Sequence, residues 1–346
     1  MVTTEVRDIA MDQYRAQQRA VRRATNRVQA LWRQIDRGDI TGSWTALAPA
    51  LERAVTVEQT TAALLADAYL DAVQAAEGAE TAAAGAVRAS SLAGIASDGR
   101  PLLSLLYQPV IDWKVRLLAG QSPQEAARGS LASALRITST QVADAGRGAV
   151  ATGMAGRRTI QGYVRVVQPP ACARCVILAG KEFGWNTGFQ RHPKCDCIHL
   201  PTTLIARNQR GRQGADSFTP TTRPGTGAPG FLDPRAYFNS LPAAEQRRVF
   251  GEAGARAIRE GADMGQVVNA RRGMNAAGTT TRVGLRRGSR YWHVERRRAL
   301  NAGEITPDVD RAFRIRSARL MPEEIFRTAT SRDDAVQMLR RYGYLT

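Results

Sequence analysis

Apolar residues recur at helical spacing along most of the first 148 residues. Between residues 5 and 37, one apolar stripe predicts a single long helix. Its members are Val21, Val28, Leu31, Trp32 and Ile35. Arg37 and Gly38 are typical of a helix C-terminus, where a basic last turn is followed by glycine. The same periodicity predicts two further helices, over about 44–77 and about 101–119.

A fourth helix and a strand are predicted beyond residue 121. Ser122, Pro123 and Glu125 form a capping box with proline at the first helical position, which predicts a helix that runs to about Arg147. The run from Ile160 to Val167 is rich in β-branched residues and predicts a strand. The helical pattern therefore ends where a short β segment begins.

The last third of the chain alternates between loop-like and helical composition. Residues 207–230 are rich in Gly, Pro, Thr and Arg, which is typical of a flexible linker or arm. A helix is predicted over about 242–260, and two short helices near 322–328 and 332–341. Thr330 or Ser331 can cap the last of these.

Together these patterns predict an α+β fold in four regions. A mainly helical domain occupies 1–148, and a small α+β module occupies 149–206. A Gly/Pro-rich linker over 207–232 joins them to a basic, mostly helical C-terminal region over 233–346.

Charge adds a second constraint to this picture. The 346 residues include 49 Lys and Arg against 31 Asp and Glu, so the formal net charge is +18. Only Lys114, Lys181 and Lys194 are lysines, so arginine carries nearly all of the positive charge. One interpretation is a GC-rich codon bias without function. The other is a polyanionic partner, either nucleic acid or an acidic protein surface.

Membrane insertion and secretion are not expected. No run of eighteen or more apolar residues appears, and the first ten residues lack the apolar core of a signal peptide. We therefore expect a protein that stays in a reducing cytoplasm, where clustered cysteines bind metal more often than they form disulfides.

All four cysteines fall within 26 residues of one another. Cys172 and Cys175 are followed by His192, Cys195 and Cys197. Thiolates and imidazole are the ligands that structural Zn²⁺ prefers, and a Cys-x2-Cys turn places two sulfurs on one ion. The spacing predicts one structural zinc held by Cys172, Cys175 and two of the other three, and hence a zinc-stapled module. Disulfides, thiols without metal and a catalytic site are the alternatives.

The cysteine module resembles a known family. The stretch from Val166 to Phe183, with Gly180-Lys181-Glu182-Phe183, is followed by His192-Pro193-Lys194-Cys195-Asp196-Cys197. This pattern resembles the Mu protein F-like (MuF) minor head proteins of tailed bacteriophages, and the match covers roughly 130–205. The five cysteine and histidine positions of that family all have counterparts in this chain.

The resemblance implies a role in the phage head. It implies a minor capsid, or head morphogenesis, protein that binds the portal protein and the major capsid protein or scaffold, and that supports head assembly and DNA packaging or ejection. The implied location is the virion, inside the capsid or at the portal vertex, after assembly in the host cytoplasm. Some relatives are labelled capsid maturation proteases, so a protease is the first alternative. A DNA-binding assembly factor absent from the virion is the second.

No catalytic residue is predicted. The chain has no Gly-x-Ser-x-Gly, His-Glu-x-x-His or phosphate-binding loop motif. His192 is assigned to the cysteine cluster, His199 is expected to pack on an apolar strand, and His293 is expected at the surface. A protease assembled from dispersed residues stays open as an alternative.

Two arginine clusters are candidate contacts for nucleic acid or the portal. The first is a stripe on the predicted helix over 5–37, made of Arg15, Arg19, Arg22, Arg23 and Arg27. The second surrounds two aromatic residues near the C-terminus and comprises Arg286, Arg287, Arg290, Tyr291, Trp292, Arg296, Arg297 and Arg298. Arginine beside aromatics suits phosphate contact with base stacking. A solvated helix face is the alternative interpretation of the first cluster.

Overall fold

A computed structural model describes residues 3–185, 197–203, 232–270, 290–305 and 328–342, together with Leu320 and Ile325. Within these residues the chain is mainly helical and carries one small three-stranded sheet, which confirms the mainly helical α+β fold. The zinc staple of the module is not shown.

Helices predominate among the described elements, and the three strands all lie between 162 and 202. In chain order the elements are α1 (Thr4–Trp32), α2 (Ile40–Leu64), α3 (Ala66–Ala76), a 3₁₀ turn (Ala89–Leu92), α4 (Leu102–Leu106), α5 (Gln108–Leu118), α6 (Pro123–Ala155), β1 (Gly162–Val166), α7 (Ala173–Val176), β2 (Glu182–Gly184), β3 (Ile198–Thr202), α8 (Pro234–Ser240), α9 (Ala243–Phe250), α10 (Glu252–Arg259), α11 (Met264–Ala270), α12 (Arg290–Asn301) and α13 (Arg332–Arg341). No described helix has the length and apolarity needed to cross a bilayer.

The described residues divide into two compact units. The first contains 3–168, 180–185 and 197–203. The second contains 169–179, 232–270, 290–305 and 328–342.

The 33-residue helix α6 is the scaffold of the first unit. It packs against α1, α2, α3, α5 and β3. Most of its buried side chains are small, so neighbouring helices can approach its backbone closely. These small buried residues are Ala126, Ser130, Ser133, Ala134, Thr138, Ala143, Ala145, Gly146, Ala149 and Gly153.

The contact between α1 and α6 combines small residues with a buried amide. On α1, Gln17 is only 3% exposed, and its Nε2 donates to the Ala143 carbonyl at 3.0 Å. Gly146 makes room for that amide, because a Cβ at this position would lie 2.3 Å from Gln17 Nε2. The bond satisfies a buried polar group that would otherwise cost about 1–3 kcal/mol.

A buried arginine ties α6 to α3. Arg157, which is 3% exposed, pairs with Asp67 at 3.0 Å and with Asp71 at 2.8 Å. Asp67 in turn accepts from the backbone N–H of Val87 at 2.8 Å. The Arg157 guanidinium therefore binds α3 directly, and through Asp67 it is connected to the loop at Val87.

The sheet has the order β2-β1-β3, and both pairings are antiparallel. Tyr163 on β1 lies opposite Phe183 on β2 and Pro201 on β3. Its ring stacks on Phe183 at a centroid distance of 5.2 Å. All five residues of β1 are buried, so this central strand is covered on both faces.

Several predicted helices are shorter or divided. The first ends at Trp32 rather than 37, although Ile35 is still buried. The helix predicted over about 44–77 is two helices that meet at Leu65, and the one predicted over about 101–119 breaks at Tyr107. Pro109 explains the second break, because proline is tolerated in the first turn of α5 but not inside a longer helix.

The fourth helix and the C-terminal helices also differ in their bounds. The capping box at Ser122 is confirmed, but α6 continues past Arg147 to Ala155. The helix predicted over about 242–260 divides at Gly251, whose φ of 78° cannot continue a helix. Ser331 caps α13 by accepting from the Asp334 N–H. The helix predicted near 322–328 lies mostly outside the described residues.

The second unit has an aromatic core of its own. Phe238 of α8 and Phe250 of α9 are both 1% exposed and meet edge to face at 5.2 Å. Ile258 of α10 and Val267 of α11 are fully buried. The four short helices over 234–270 therefore each bury apolar side chains.

Gly153 on α6 is predicted to be intolerant of any side chain. A Cβ there would lie 2.3 Å from Leu70 Cδ1 and 3.1 Å from Val87 Cγ2. We expect Gly153→Ala to lower the free energy of unfolding by about 1–3 kcal/mol, because overpacking outweighs the better helix propensity of alanine.

Gly148 is the matched control on the same helix, since its added Cβ would meet only Leu92 Cδ2 at 3.6 Å. Gly148→Ala is expected to leave stability unchanged or to raise it by up to about 1 kcal/mol. Urea denaturation followed by circular dichroism measures both variants. Equal midpoints for the two variants would contradict the packing described for α6.

Candidate functional site

The cysteine pair of the module lies on one helical turn. Cys172 is the N-cap of α7 and is exposed, and Cys175 lies within α7 and is buried. Cys172 precedes the helix in an extended conformation, and Cys175 lies in the single turn that follows, so the two thiols are close along the chain. This local geometry suits a pair of metal ligands.

Cys197 is placed by a different part of the chain. It is fully buried directly before β3. Its carbonyl accepts from Arg147 Nη1 of α6 at 3.0 Å, and Arg147 is itself ion-paired with Asp144. The backbone at Cys197 is therefore held by a buried arginine of the helical scaffold.

Side chains of α3 and of the residue after it bond the chain along β3. The Tyr69 hydroxyl donates to the His199 carbonyl at 2.9 Å, and the Thr203 N–H donates to Glu77 at 2.7 Å. Burial raises the pKa of Tyr69, so its hydroxyl keeps the proton that it donates. Pro201 has no N–H to satisfy. These bonds attach β3 to α3 and to the residue that follows it.

The predicted zinc cluster is only partly within the described residues. His192 and Cys195 lie outside them. Among the residues that are described, no group of three or more His, Cys, Asp or Glu could hold a metal ion. The full ligand set therefore stays a prediction.

The arginine stripe on α1 divides into paired and unpaired members. Arg23 binds Glu58 of α2 through two bonds of 2.9 and 2.7 Å, and Arg27 binds the same carboxylate at 3.4 Å. Glu58 is 2% exposed, so these arginines neutralise a buried charge. The hydrogen bond to Glu58 raises the pKa of Arg23. Arg15 pairs with Asp12 on the surface of α1.

Arg19 and Arg22 are the two arginines of the stripe that are available to bind a partner molecule. Both are exposed, and neither has an ion pair with any residue that the structure describes. The sequence predicts all five arginines as equal contacts, because nothing along α1 shows that Glu58 lies beside Arg23 and Arg27 in the fold.

The second arginine cluster is partly described. Arg286 and Arg287 lie outside the described residues, as do the side chains of Arg290 and Tyr291 at the start of α12. Arg296 lies 6.0 Å from the ring centroid of Trp292, Arg297 is exposed, and Arg298 pairs with Glu295 and Glu304.

Trp292 does not have the exposure that base stacking requires. It is 5% exposed, so its ring belongs to the packing of the second unit. The sequence predicts a surface aromatic at this position because arginines surround it along the chain. A contact between Trp292 and nucleic acid stays a prediction.

A cavity in the first unit brings together polar residues that are distant in sequence. It has a volume of about 360 Å³ and is lined by Ser97, Gln141, Asp144, Arg147 and His199, with apolar residues around them. His199 also packs on Tyr163 at a ring distance of 4.2 Å, as expected for this histidine. No local motif in the sequence indicates this cavity.

The hydrogen bonds of the cavity do not build a serine nucleophile. Ser97 Oγ donates toward Asp144 at 2.6 Å and lies 3.0 Å from Gln141 Oε1. An activated serine needs a base that takes its proton, usually a histidine oriented by a carboxylate. In this cavity the carboxylate contacts the serine directly, and it is already ion-paired with Arg147.

Comparison with known proteins decides the family. A family model described as VG15 protein matches residues 5–216. The chain belongs to the VG15 protein family. This is a viral, phage-associated family, so the chain is phage-related. The match extends from α1 through β3 and includes the cysteine module. No curated protein and no solved structure matches the chain.

The two kinds of arginine on α1 are predicted to differ in their effect on stability. Replacing Arg23 and Arg27 by Gln leaves Glu58 buried without its cations, so the free energy of unfolding is expected to fall by about 1–3 kcal/mol. Replacing Arg19 and Arg22 by Gln removes the same charge from the surface, and the expected change is within about 0.5 kcal/mol. Chemical denaturation monitored by circular dichroism compares the two double variants; equal stabilities would contradict the pairing with Glu58.

Proposed function

We propose that this VG15-family chain is a bacteriophage minor capsid, or head morphogenesis, protein that binds the portal and supports head assembly and DNA packaging or ejection. The observation that carries the proposal is the family match over 5–216, which covers both the helical domain and the cysteine module. The MuF-like pattern around Cys172, Cys175, His192, Cys195 and Cys197 supports the head rather than another part of the particle.

The surface of α1 supports contact with an acidic partner. Arg19 and Arg22 project from a helix whose opposite face is buried against α6 and α2. A net charge of +18 attracts polyanions over several ångströms at physiological salt. Packaged DNA and an acidic portal surface both provide such a partner.

The module is proposed to hold one structural zinc. Cys172 and Cys175 fit the role, because α7 places both on one turn and Cys175 is buried. Two of His192, Cys195 and Cys197 complete a tetrahedral set. Zinc would supply folding free energy to the module and no reaction chemistry, since four protein ligands leave no open position.

Metal analysis tests the zinc site. Purified chain is expected to contain about one zinc per molecule by plasma mass spectrometry, and Cys172→Ser and Cys175→Ser are each expected to lose it. Treatment with a chelator is expected to lower the melting temperature of the unsubstituted chain but not of the two variants. A chain that contains no metal and is as stable as its variants would refute the site.

Quantitative mass spectrometry of purified virions and proheads tests the head assignment. The full-length chain is expected at a few copies per portal ring. Absence from mature virions would favour a DNA-binding assembly factor. A clipped chain, or coat protein that is cut only when this chain is co-expressed, would favour a capsid maturation protease.

The geometry of the first unit gives less support to a capsid maturation protease than to the proposed minor capsid protein. The cavity with Ser97, Asp144 and His199 is the one specific observation that favours it. The direct bond from Ser97 to Asp144 and the pairing of Asp144 with Arg147 argue against an activated nucleophile at this site.

A further inference from the structure

The arginines over 232–270 are unequal in their pairing. Arg247 pairs with Glu252 at 3.3 Å, and Arg248 pairs with Glu245 through its Nε at 2.9 Å. Arg256 also has an interaction partner. The two that remain, Arg235 and Arg259, have no carboxylate partner among the described residues.

Arg235 and Arg259 line the same cleft. It has a volume of about 630 Å³, and its walls include Arg235, Phe238, Asn239, Ile258, Arg259 and Gly261. Within the described part of the chain no acidic residue lines it. Asp233 and Asp263 accept the backbone N–H groups of Ala236 and Gln266 in the first turns of α8 and α11. The described walls therefore carry two positive charges and no negative one.

Arg235 is held in place within the cleft. Its Nη1 donates to the Ile258 carbonyl at 3.0 Å, and the N–H of Gly261 donates to the same oxygen at 3.1 Å. The Ile258 carbonyl near the C-terminus of α10 therefore has two hydrogen-bond donors. A guanidinium has five N–H donors, so Arg235 keeps four for a ligand. Asn239, whose side-chain amide is a neutral donor, also lines the cleft.

We propose that this cleft binds the phosphodiester backbone of a nucleic acid. Guanidinium groups match phosphate oxygens with paired N–H donors, and two of them in one open cleft fit successive or shared phosphates. The excess of 18 positive charges favours a long polyanion over a single carboxylate side chain. That the nucleic acid is packaged phage DNA depends on the proposed function. That the chain binds a phosphodiester backbone depends only on the residues of the cleft.

Salt-dependent binding of the full chain to a fluorescein-labelled duplex of about 20 base pairs tests the proposal. Arg235→Gln with Arg259→Gln is expected to weaken binding and to reduce the slope of log Kd against log salt by about 1.8, since each lost phosphate contact removes about 0.9. The matched control is Arg247→Gln with Arg248→Gln, which removes the same charge from the same unit but from arginines already paired with glutamates. Its slope is expected to stay near that of the unsubstituted chain.

The single variant Arg259→Gln separates a loss of binding from a loss of folding. It is expected to fold normally, because Arg259 donates no side-chain hydrogen bond within the described residues. Its slope is expected to fall by about 0.9. Equal salt slopes for the two double variants, or no binding of the duplex at low salt, would refute nucleic-acid binding by the cleft. If the chain is absent from virions but the two double variants still differ in salt slope, the head assignment is wrong and binding at the cleft is supported. If the chain is present in virions and the two double variants have equal salt slopes, the head assignment is supported and binding at the cleft is wrong.

Discussion

Close approach of helices to α6 is the constraint on which the first unit depends. Alanine, glycine, serine and threonine are most of its buried residues, and α1, α2, α3 and α5 all pack against it. Such a surface buries little apolar area per residue, so its stability depends on fit over many contacts rather than on a few large side chains. Gly146 and Gly153 mark the points where neighbouring side chains come nearest.

A core of small residues also needs groups that specify one arrangement, and buried polar side chains provide them in this protein. Gln17 bonds the α6 backbone, Arg157 joins α3 to α6, and Arg147 holds the chain at Cys197. Each of these bonds is directional, unlike apolar contact. Leaving a buried polar group without its partner typically costs about 1–3 kcal/mol, so these bonds favour one arrangement of the helices. The buried arginines thereby connect the stability of the helices to the position of a candidate metal ligand.

The same chemistry explains why arginine content alone is a poor guide to function in this chain. Arginines of similar appearance in the sequence have different roles in the fold. Arg23 and Arg27 neutralise buried Glu58, whereas Arg19 and Arg22 on the same helix face solvent. Arg247 and Arg248 pair with glutamates, whereas Arg235 and Arg259 line a cleft whose described walls carry no acid. The unpaired members are the ones that a polyanionic partner can engage at low cost in stability.

The sequence by itself determined the features that depend on local chemistry. Helical periodicity, the capping box at Ser122 and the strand near Ile160 needed only neighbouring residues, and so did the Cys-x2-Cys turn at Cys172. Tertiary structure decided what depends on distant partners: which arginines meet a carboxylate, that Trp292 is buried, and that Ser97, Asp144 and His199 share one cavity. Glu58 lies 35 positions after Arg23, and no local pattern encodes their approach, because it arises only when α1 and α2 pack side by side on α6.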